Sequence, residues 1–379
     1  MIWTGDVNRA YALKAEVGLY DTTLRDGEQT VGVVLGPQQK LAIARALSEA
    51  GIERIEAGFP RVSEDDFEAV RLIAAAGLEA EVWGFSRAVE ADVKALVELG
   101  VEHSVIEAPI SDLKLDALGV DREAMLERIV YALSFAAREG IQVCFFGVDG
   151  TRADPGFFET VYKTAVEAGA REVAVVDTLG IASPEAAADL VGRTREWLDV
   201  AIHWHGHNDF GLATAAAIAA ARAGARWLQG TINGMGERAG NANLGEIALA
   251  LAALYDVRTR LRLDRLRALS ELTGVELEAW KPLYGENLFR RESGAVASQF
   301  HDPPSIEPYS SELVGARRSI VLGKKSGLDS IRIKCEELGI DLPEERRREL
   351  LAEVKRLGVE KGGLVTDEEF RALAHRPSI

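Results

Sequence analysis

Residues 201–209 read AIHWHGHND, and within this short segment His203, His205 and His207 are separated by single residues. Side chains two apart on a β-strand point to the same face, so the spacing predicts a strand that presents three imidazoles together. The chain has six histidines, so half of them lie in this segment. Such a concentration indicates a chemical role, provided that the fold gathers other polar groups around the end of the strand.

The segment is one of eight β-rich runs that alternate with helical segments along the chain. The predicted strands are residues 17–23, 52–60, 80–86, 103–110, 141–149, 172–178, 201–209 and 227–234. Helical periodicity is clearest in residues 37–50, 122–139 and 184–198. Eight βα units in about 240 residues predict an α/β fold, specifically a closed (β/α)8 TIM barrel. An open doubly wound sheet is the alternative, but the first strand lacks the Gly-x-Gly-x-x-Gly turn that often follows it there.

Local signals support the helix boundaries. Pro37 and Pro184 lie where a first helical turn tolerates a missing N–H, and Ser183 can cap the second of these helices. Glycine follows several helices just before the next strand, which suits the left-handed conformation that ends a helix. These glycines are Gly51, Gly100, Gly140 and Gly169.

The pattern changes after the eighth unit. We predict a catalytic barrel over residues 1–260, a linker or lid over 261–327 and a small, mostly helical C-terminal subdomain over 328–379. Helices are predicted at 263–280, 328–338, 343–357 and 366–375. Residues 281–327 are rich in Pro, Gly and Ser without clear periodicity. An irregular stretch of this length favours a lid or a dimer-exchange segment over an idle loop.

Composition excludes several classes of partner. The chain of 379 residues carries a formal net charge of −16, and such an acidic protein is repelled by phosphate backbones and anionic lipid. We therefore predict no nucleic-acid partner and no membrane association. Cys144 and Cys335 are the two cysteines, and we interpret them as reduced structural thiols. The absence of a secretion signal and of an apolar stretch of about twenty residues predicts a cytoplasmic protein.

The end of the seventh predicted strand favours a metal site. In a TIM barrel the carboxyl ends of the strands form the catalytic mouth, where His205 and His207 can reach one ion. The first unit supplies the polar run YDTTLRDGEQ at residues 20–29, and the eighth supplies GMGERAGNAN at 234–243. One carboxylate, two imidazoles and an amide oxygen suit Mn²⁺, Mg²⁺, Co²⁺ or Zn²⁺. His203 lies deeper, and we expect it to pack or to support the ligands.

Arg25 stands beside Asp26 in the first of these polar runs. A guanidinium at this place can neutralise an enolate or a bound oxo acid. The alternative is that Arg25 and Asp26 form a plain ion pair on the surface.

Three longer motifs give the chain a family resemblance. They are DTTLRDGEQT at 21–30, HGHNDFGLATA at 205–215 and NGMGERAGNANLGE at 233–246. Together they resemble the metal-dependent Claisen condensation enzymes, namely the isopropylmalate, citramalate and homocitrate synthases and, more distantly, the hydroxymethylglutaryl-CoA lyases. Weaker support comes from EAGFP at 56–60, PISDL at 109–113, VDTLG at 176–180 and VLGKKSG at 321–327. The resemblance covers nearly the whole chain and is nearest to bacterial homocitrate synthases of the nitrogen-fixation type.

The resemblance implies an acyltransferase that condenses acetyl-CoA with a 2-oxo acid on a divalent metal, and it implies a homodimer. The implied metal ligands are Asp26, His205, His207 and Asn241. Arg25 is the implied catalytic residue, which polarises the keto oxygen. The implied substrate-binding residues are Gln29, Thr178, Arg152, Glu56 and Arg87, with Glu107 among the neighbours that shape the pocket.

The acid–base residues of the family are replaced in this chain. Val148 stands where the fifth strand of these synthases carries a glutamate, and Val296 and Ile306 stand near the expected histidine and tyrosine. Loss of a positioned base costs about 10²–10⁴-fold in rate, and valine cannot transfer a proton. Candidate substitutes are His301, Tyr309 and Asp149. Two alternatives stay open: a metal-dependent C–C lyase or aldolase acting on a 2-oxo or hydroxy acid, and a catalytically silent metal-binding paralogue.

Overall fold

Eight parallel strands form a closed barrel within residues 1–376, the part of the chain that this computed structural model describes. The strands are β1 (Gly18–Asp21), β2 (Arg54–Glu56), β3 (Glu81–Arg87), β4 (His103–Pro109), β5 (Gln142–Val148), β6 (Glu172–Asp177), β7 (Ala201–Gly206) and β8 (Trp227–Gly230). Each strand pairs with its neighbours in sequence, and β1 also pairs with β8, which closes the sheet. The predicted TIM barrel is therefore confirmed.

At least one helix follows every strand of the barrel. These helices are α1 (Pro37–Glu49), α2 (Glu64–Ala74), α3 (Glu90–Glu98), α4 (Asp112–Leu118), α5 (Arg122–Arg138), α6 (Pro155–Glu167), α7 (Pro184–Trp197), α8 (Ala213–Ala223) and α9 (Leu244–Leu254). Short 3₁₀ turns lie at Arg9–Tyr11, Gly27–Gln29, Gly150–Arg152 and Ile232–Gly234. The turns after β1, β5 and β8 lie at the carboxyl ends of their strands, where polar side chains are needed for a site.

Side-chain caps start several of these helices. The hydroxyl of Ser183 accepts a hydrogen bond from the backbone N–H of Ala186, 3.3 Å away, and Pro184 occupies the first position of α7. This confirms the predicted cap. Asp121 caps α5 and Asp154 caps α6 in the same way. Each cap satisfies a backbone donor that the helix itself leaves unpaired.

The helix predicted over 263–280 is wrong in its second half. A 3₁₀ turn at Leu263–Arg265 leads into α10 (Leu266–Leu272), and the helix ends there. Gly274 has a φ of 70°, a left-handed conformation that a continuing helix cannot contain. Apolar residues continue beyond this point, but the backbone no longer follows the helical period.

The interior of the barrel is filled by large side chains from alternating positions. The inner cluster comprises Tyr20, Trp83, Phe85, Val105, Cys144, Phe146, Ala174 and Val176. The rings of Tyr20 and Trp83 meet edge to face at 5.6 Å between centroids. Cys144 is a free, buried thiol, as predicted, and Cys335 is also free and buried. The interior of the barrel is thus packed with side chains and is not an open pore.

The described chain divides into two compact units. The barrel unit is Asp6–Glu276, and the C-terminal unit contains Met1–Gly5 and the chain from Leu277 onward. The division predicted from the sequence, with boundaries at residues 260 and 327, stays a prediction. Residues 377–379 of the predicted subdomain lie outside the described residues.

The C-terminal unit is mainly helical, as predicted. Its helices are α11 (Gly294–Ala297), α12 (Leu328–Leu338), α13 (Glu344–Lys361) and α14 (Asp367–Ala374). A buried apolar cluster that includes Ile331, Leu350 and Phe370 holds them together. The stretch at 281–327 is not without structure, because it contains α11, several 3₁₀ turns and two paired strands, β9 (Arg290–Arg291) and β10 (Ser319–Ile320). Throughout residues 1–376, each helix is too short or too polar to cross a membrane.

Candidate functional site

Three predicted ligands meet at the mouth of the barrel. Asp26 follows β1, where its backbone N–H donates to the carbonyl of Thr22 at 2.9 Å and so folds the chain back over the strand end. Its Oδ2 lies 3.2 Å from Nε2 of His205 and 3.7 Å from Nε2 of His207. All three side chains are buried, and one ligand atom from each lies within 4.8 Å of the others. Ligand distances of about 2.0–2.2 Å then allow one cation to contact all three.

The protonation states of Asp26 and His207 also favour metal binding. Burial alone would raise the pKa of Asp26, but the guanidinium of Arg25 and the two imidazoles hold that pKa below its usual range. The pKa of His207 is lowered to about 4, chiefly by burial; Asp26 opposes this change, while His205, Arg238 and Arg25 add to it. At neutral pH the cluster therefore offers an ionised carboxylate and a neutral imidazole, which are the forms that bind metals.

A fourth donor lies beside these three. Asn241 is paired with His207 by an isolated backbone bridge, and its Nδ2 donates to the carbonyl of Met235 at 3.0 Å. Its Oδ1 is buried and has no hydrogen-bond partner within residues 1–376. An unpaired buried acceptor costs about 1–3 kcal/mol, which a bound cation would offset. The donor set of oxygens and imidazoles thus fits a divalent metal such as Mn²⁺, Mg²⁺, Co²⁺ or Zn²⁺.

Arg25 lies next to this cluster and is not a surface residue. Its Nη1 lies 3.4 Å from Oδ2 of Asp26, its Nε contacts Glu56, and its guanidinium lies 4.0 Å from the centre of the Phe85 ring. The hydroxyl of Tyr20 donates to the other oxygen of Glu56 at 2.9 Å. The side chain of Arg25 is 9% exposed, so the alternative of a surface ion pair with Asp26 is wrong. Its buried Nη2 finds no hydrogen-bond partner in the described chain, which leaves this N–H group for a ligand.

A cavity of about 510 Å³ opens above these residues. Its polar lining includes Arg25, Asp26, His205 and His207. Its apolar lining comprises Val33, Val34, Leu35, Phe59, Val62, Phe85, Phe146, Val148 and Val176. Carboxyl groups other than Asp26 line it as well: Glu28, Asp65, Asp66, Glu107 and Glu237. The volume is in the range of small-molecule sites, and the shape combines an apolar wall with a polar floor.

The predicted substrate-binding residues lie in different places. Gln29 and Thr178 line the cavity. Glu56 is fully buried and reaches the cavity only through Arg25. Arg87 is held in an ion pair with Asp92 at 2.7 Å, and Arg152 is held by Asp149 at 2.7 Å. The structure therefore does not bring Arg87 and Arg152 to the cavity lining, and a direct role for them in binding stays a prediction.

Asp149 does not face the cavity that Val148 lines. It is fully buried in a left-handed conformation, accepts hydrogen bonds from Ser111 and Arg152, and donates its backbone N–H to the hydroxyl of Thr178 at 2.8 Å. This network holds Thr178 in place. It also occupies the carboxylate of Asp149 with hydrogen bonds to Ser111 and Arg152. The other substitutes considered, His301 and Tyr309, belong to the C-terminal unit together with Val296 and Ile306, and their roles stay predictions.

Sequence reasoning missed several buried polar groups. Lys40 of α1 is 1% exposed and lies 2.5 Å from both Glu28 and Asp66, two residues of the cavity lining. Gln229 of β8 and Glu172 of β6 are also buried and contact the strand-seven histidines. For Glu172 and Gln229 the available signal was a charged or amide side chain in an otherwise apolar strand, whereas Lys40 lies on a helix and gave no such signal.

Comparison with known proteins gives matches over both units. The family model described as HMGL-like matches residues 16–273, and the model described as homocitrate synthase post-HMGL domain-like matches residues 283–362. Homocitrate synthase AksA of Methanopyrus kandleri is 42% identical over 371 residues, covering 96% of this chain and 93% of the relative. The 2-isopropylmalate synthase of Sulfolobus acidocaldarius is 41% identical over 367 residues, covering 95% of each chain.

Solved structures share the barrel. The HMG-CoA lyase of Bacillus subtilis superposes with a TM-score of 0.63 at 18% identity, covering 70% of this chain and 96% of the lyase. The carboxyl transferase domain of Rhizobium etli pyruvate carboxylase gives a TM-score of 0.56 at 20% identity, covering 70% of this chain and 48% of that chain. These likenesses concern the fold alone, and the resemblance to nitrogen-fixation-type enzymes stays a prediction. The family matches and the synthase relatives together show that this chain belongs to the HMGL-like family, among the enzymes of the homocitrate and 2-isopropylmalate synthase type.

Proposed function

We propose that this enzyme condenses acetyl-CoA with a 2-oxo acid in a divalent-metal-dependent acyl transfer. The observation that carries the proposal is the buried cluster of Asp26, His205 and His207 beside Arg25, in a chain 41–42% identical to synthases over nearly its full length. The new C–C bond joins the acetyl methyl carbon to the keto carbon, and hydrolysis of the thioester releases CoA as a free thiol.

The chain's residues divide the work. Asp26, His205, His207 and the Oδ1 atom of Asn241 would hold the cation, which when bound polarises the keto group and orients the oxo acid. The free Nη2 of Arg25 donates to the oxygen on which negative charge develops, in a site where burial strengthens that interaction. Gln29 and Thr178 line the cavity and supply polar groups for the carboxylate of the oxo acid.

The cavity favours an oxo acid with an apolar side chain. Val148 and four aromatic or aliphatic neighbours, Phe59, Val62, Phe85 and Phe146, form one wall. The five further carboxyl groups of the lining outnumber the cations Arg25 and Lys114. A second carboxylate on the substrate would meet like charge there, whereas an aliphatic chain would bury apolar surface.

We assign the missing proton transfer to Glu107. It lies on β4, the strand paired with β5, and its side chain lines the same cavity as Val148. Burial raises the pKa of Glu107, while Arg25, Arg87 and Lys114 oppose the rise. A carboxyl group with a raised pKa is better matched to proton transfer near neutral pH than an ordinary one.

Release of thiol tests the proposed function. Purified protein loaded with Mn²⁺ is incubated with acetyl-CoA and either 2-oxoisovalerate or 2-oxoglutarate, and free thiol is followed over time. We expect release with 2-oxoisovalerate and weaker release with 2-oxoglutarate. Preference for 2-oxoglutarate would overturn the proposed side-chain class, and absence of release with all oxo acids tried would overturn the condensation itself.

A lyase or aldolase is the second candidate function. The observation in its favour is Val148, which leaves the fifth strand without the carboxylate expected of a synthase. Metal-dependent cleavage of a hydroxy acid without any CoA compound would support this candidate. The homodimer and the cytoplasmic location also stay predictions, and light scattering of the purified protein tests the former.

A further inference from the structure

A line of buried polar side chains runs from the cluster of Asp26, His205 and His207 down into the barrel. Nδ1 of His205 lies 3.1 Å from Oε1 of Gln229, and Nε2 of Gln229 lies 3.1 Å from Nδ1 of His203. Nε2 of His203 lies 2.5 Å from Glu172, whose carboxylate also accepts from Arg54 at 2.6 and 3.1 Å. All five side chains are buried, three of them at 0–1% exposure.

The direction of each hydrogen bond follows from the end at Glu172. A carboxylate paired with a guanidinium only accepts, so Nε2 of His203 must carry a proton and donate. Nδ1 of a neutral His203 then accepts from the amide NH₂ of Gln229. The amide oxygen of Gln229 consequently faces His205, and Nδ1 of His205 must donate to it.

A cation bound at the opposite end of the line requires the same directions. Nε2 of His205 is the atom that faces Asp26, at 3.2 Å. For this nitrogen to bind a cation it must be unprotonated, so the proton of a neutral ring belongs on Nδ1. With a cation bound, both ends thus require the same orientation of the Gln229 amide, although neither end contacts the other.

The second imidazole ligand has no such support. Nδ1 of His207 is buried and has no hydrogen-bond partner among residues 1–376. No described side chain therefore holds a proton on Nδ1 of His207, whereas Gln229 offers an acceptor to Nδ1 of His205. Of the two imidazoles, His205 thus has a hydrogen-bond partner that orients it for a metal ion, and Nδ1 of His207 has none among the described residues.

We propose that Gln229, backed by His203 and Glu172, is a positioning residue that fixes His205 in the Nδ1–H form and so presents Nε2 to the cation. The inference rests on the metal site of the proposed function. Hydrogen-bond partners that orient a metal ligand commonly contribute about 10–100-fold to metal affinity. Gln229 acts through His205 and needs no contact with substrate.

The protonated nitrogen of His205 can be measured directly in the metal-free, full-length protein. Long-range ¹H–¹⁵N correlation spectra distinguish the two neutral forms of each histidine ring, and His205→Asn identifies the signal. We expect a proton on Nδ1 in the natural protein, whether or not the carboxylate of Asp26 also holds a proton on Nε2 in the absence of metal. A ring that carries its proton on Nε2 and none on Nδ1 would overturn the proposal without any variant of Gln229, and this result does not depend on metal binding or on turnover.

Two substitutions separate orientation from simple filling of space. Gln229→Leu removes the acceptor, so we expect a mixture of His205 forms and a Zn²⁺ dissociation constant raised about 10–100-fold. Gln229→Glu keeps an acceptor for His205, so we expect the Nδ1–H form and an affinity at least equal to that of the natural protein. Ser104→Ala, which removes a buried polar group of the barrel that does not contact the histidines, is the control.

The outcomes distinguish this inference from the metal site itself. If Gln229→Leu folds and keeps both the Nδ1–H form and the natural affinity, the positioning role is wrong. If the natural protein shows the Nδ1–H form but binds neither Zn²⁺ nor Mn²⁺, the metal site of the proposed function fails, while the orienting line stands. Gln229→Met replaces Gln229→Leu should the branched side chain prevent folding.

Discussion

Glu107 and Val148 line the same cavity from neighbouring strands of the barrel. In the register of β4 and β5, Glu107 lies opposite Phe146 and Pro109 lies opposite Val148. Because alternate residues share a face, Glu107 is one inward level deeper than Val148. A carboxyl group is thus present next to Val148, the position at which the resemblance to the synthases predicts a glutamate.

The substitution Val148→Glu is expected not to raise condensation activity with ordinary 2-oxo acids. Val148 packs against the apolar interior cluster, and a new carboxylate would be desolvated among five carboxyl groups of the lining. Initial rates of thiol release check this, with Val148→Gln as the uncharged control of similar size. A large gain for the glutamate variant alone would instead identify a degraded synthase that lacks its base.

Glu107→Gln is expected to lower kcat by about 10²–10⁴-fold, with little change in KM, because the amide keeps the shape of the side chain but cannot transfer a proton. The measurement is steady-state kinetics with saturating acetyl-CoA. Asp65→Asn changes an exposed carboxyl group of the same cavity and serves as the control. A Glu107→Gln enzyme with natural kcat would remove Glu107 from the chemistry.

His207→Ala is expected to abolish tight binding of divalent metal. Loss of a ligand should weaken affinity by more than the roughly 10–100-fold that loss of a ligand's hydrogen-bond partner costs. Elemental analysis after dialysis against Mn²⁺ measures the effect, and His375→Ala, at an exposed histidine, is the control. Equal metal content in both variants would exclude His207 as a ligand.

Asp21→Asn is expected to raise the free energy of unfolding above that of the natural protein, and by more at pH 8 than at pH 5. Burial raises the pKa of Asp21 to about 7, although Thr23 donates two hydrogen bonds to it. The folded state therefore holds a proton that the unfolded state releases above about pH 4, so stability falls as pH rises from about 4 to 7. Removing the carboxyl group removes this loss, which is at most about 4 kcal/mol.

Urea unfolding at the two pH values measures the effect of Asp21→Asn. The gain in free energy of unfolding over the natural protein should grow between pH 5 and pH 8. Asp6→Asn, at an exposed carboxyl group, should show no such growth. Parallel pH profiles for the natural protein and Asp21→Asn would contradict the raised pKa.

Local sequence was sufficient to predict the eight strands of the barrel and the meeting of Asp26, His205 and His207 at its mouth. The alternation of His203, His205 and His207 is a property of nine consecutive residues, and a strand converts it into one face without help from the rest of the chain. The polar runs after the first and eighth strands lie at the same end of any parallel barrel. Asp26, His205 and His207 therefore meet where the sequence predicts. The prediction of a helix over 263–280 was wrong because the left-handed conformation of Gly274 ends the helix despite the apolar spacing.

Only the closed barrel determined which buried partners each polar side chain contacts. Gln229 contacts both His203 and His205 because β7 and β8 pair in one particular register, and Glu172 reaches His203 through the pairing of β6 and β7. Arg87 and Arg152 find carboxylates a few residues away and so stay out of the cavity lining. A strand's own sequence determines which residues face inward, but the register around the whole sheet determines which inward side chains lie at hydrogen-bonding distance.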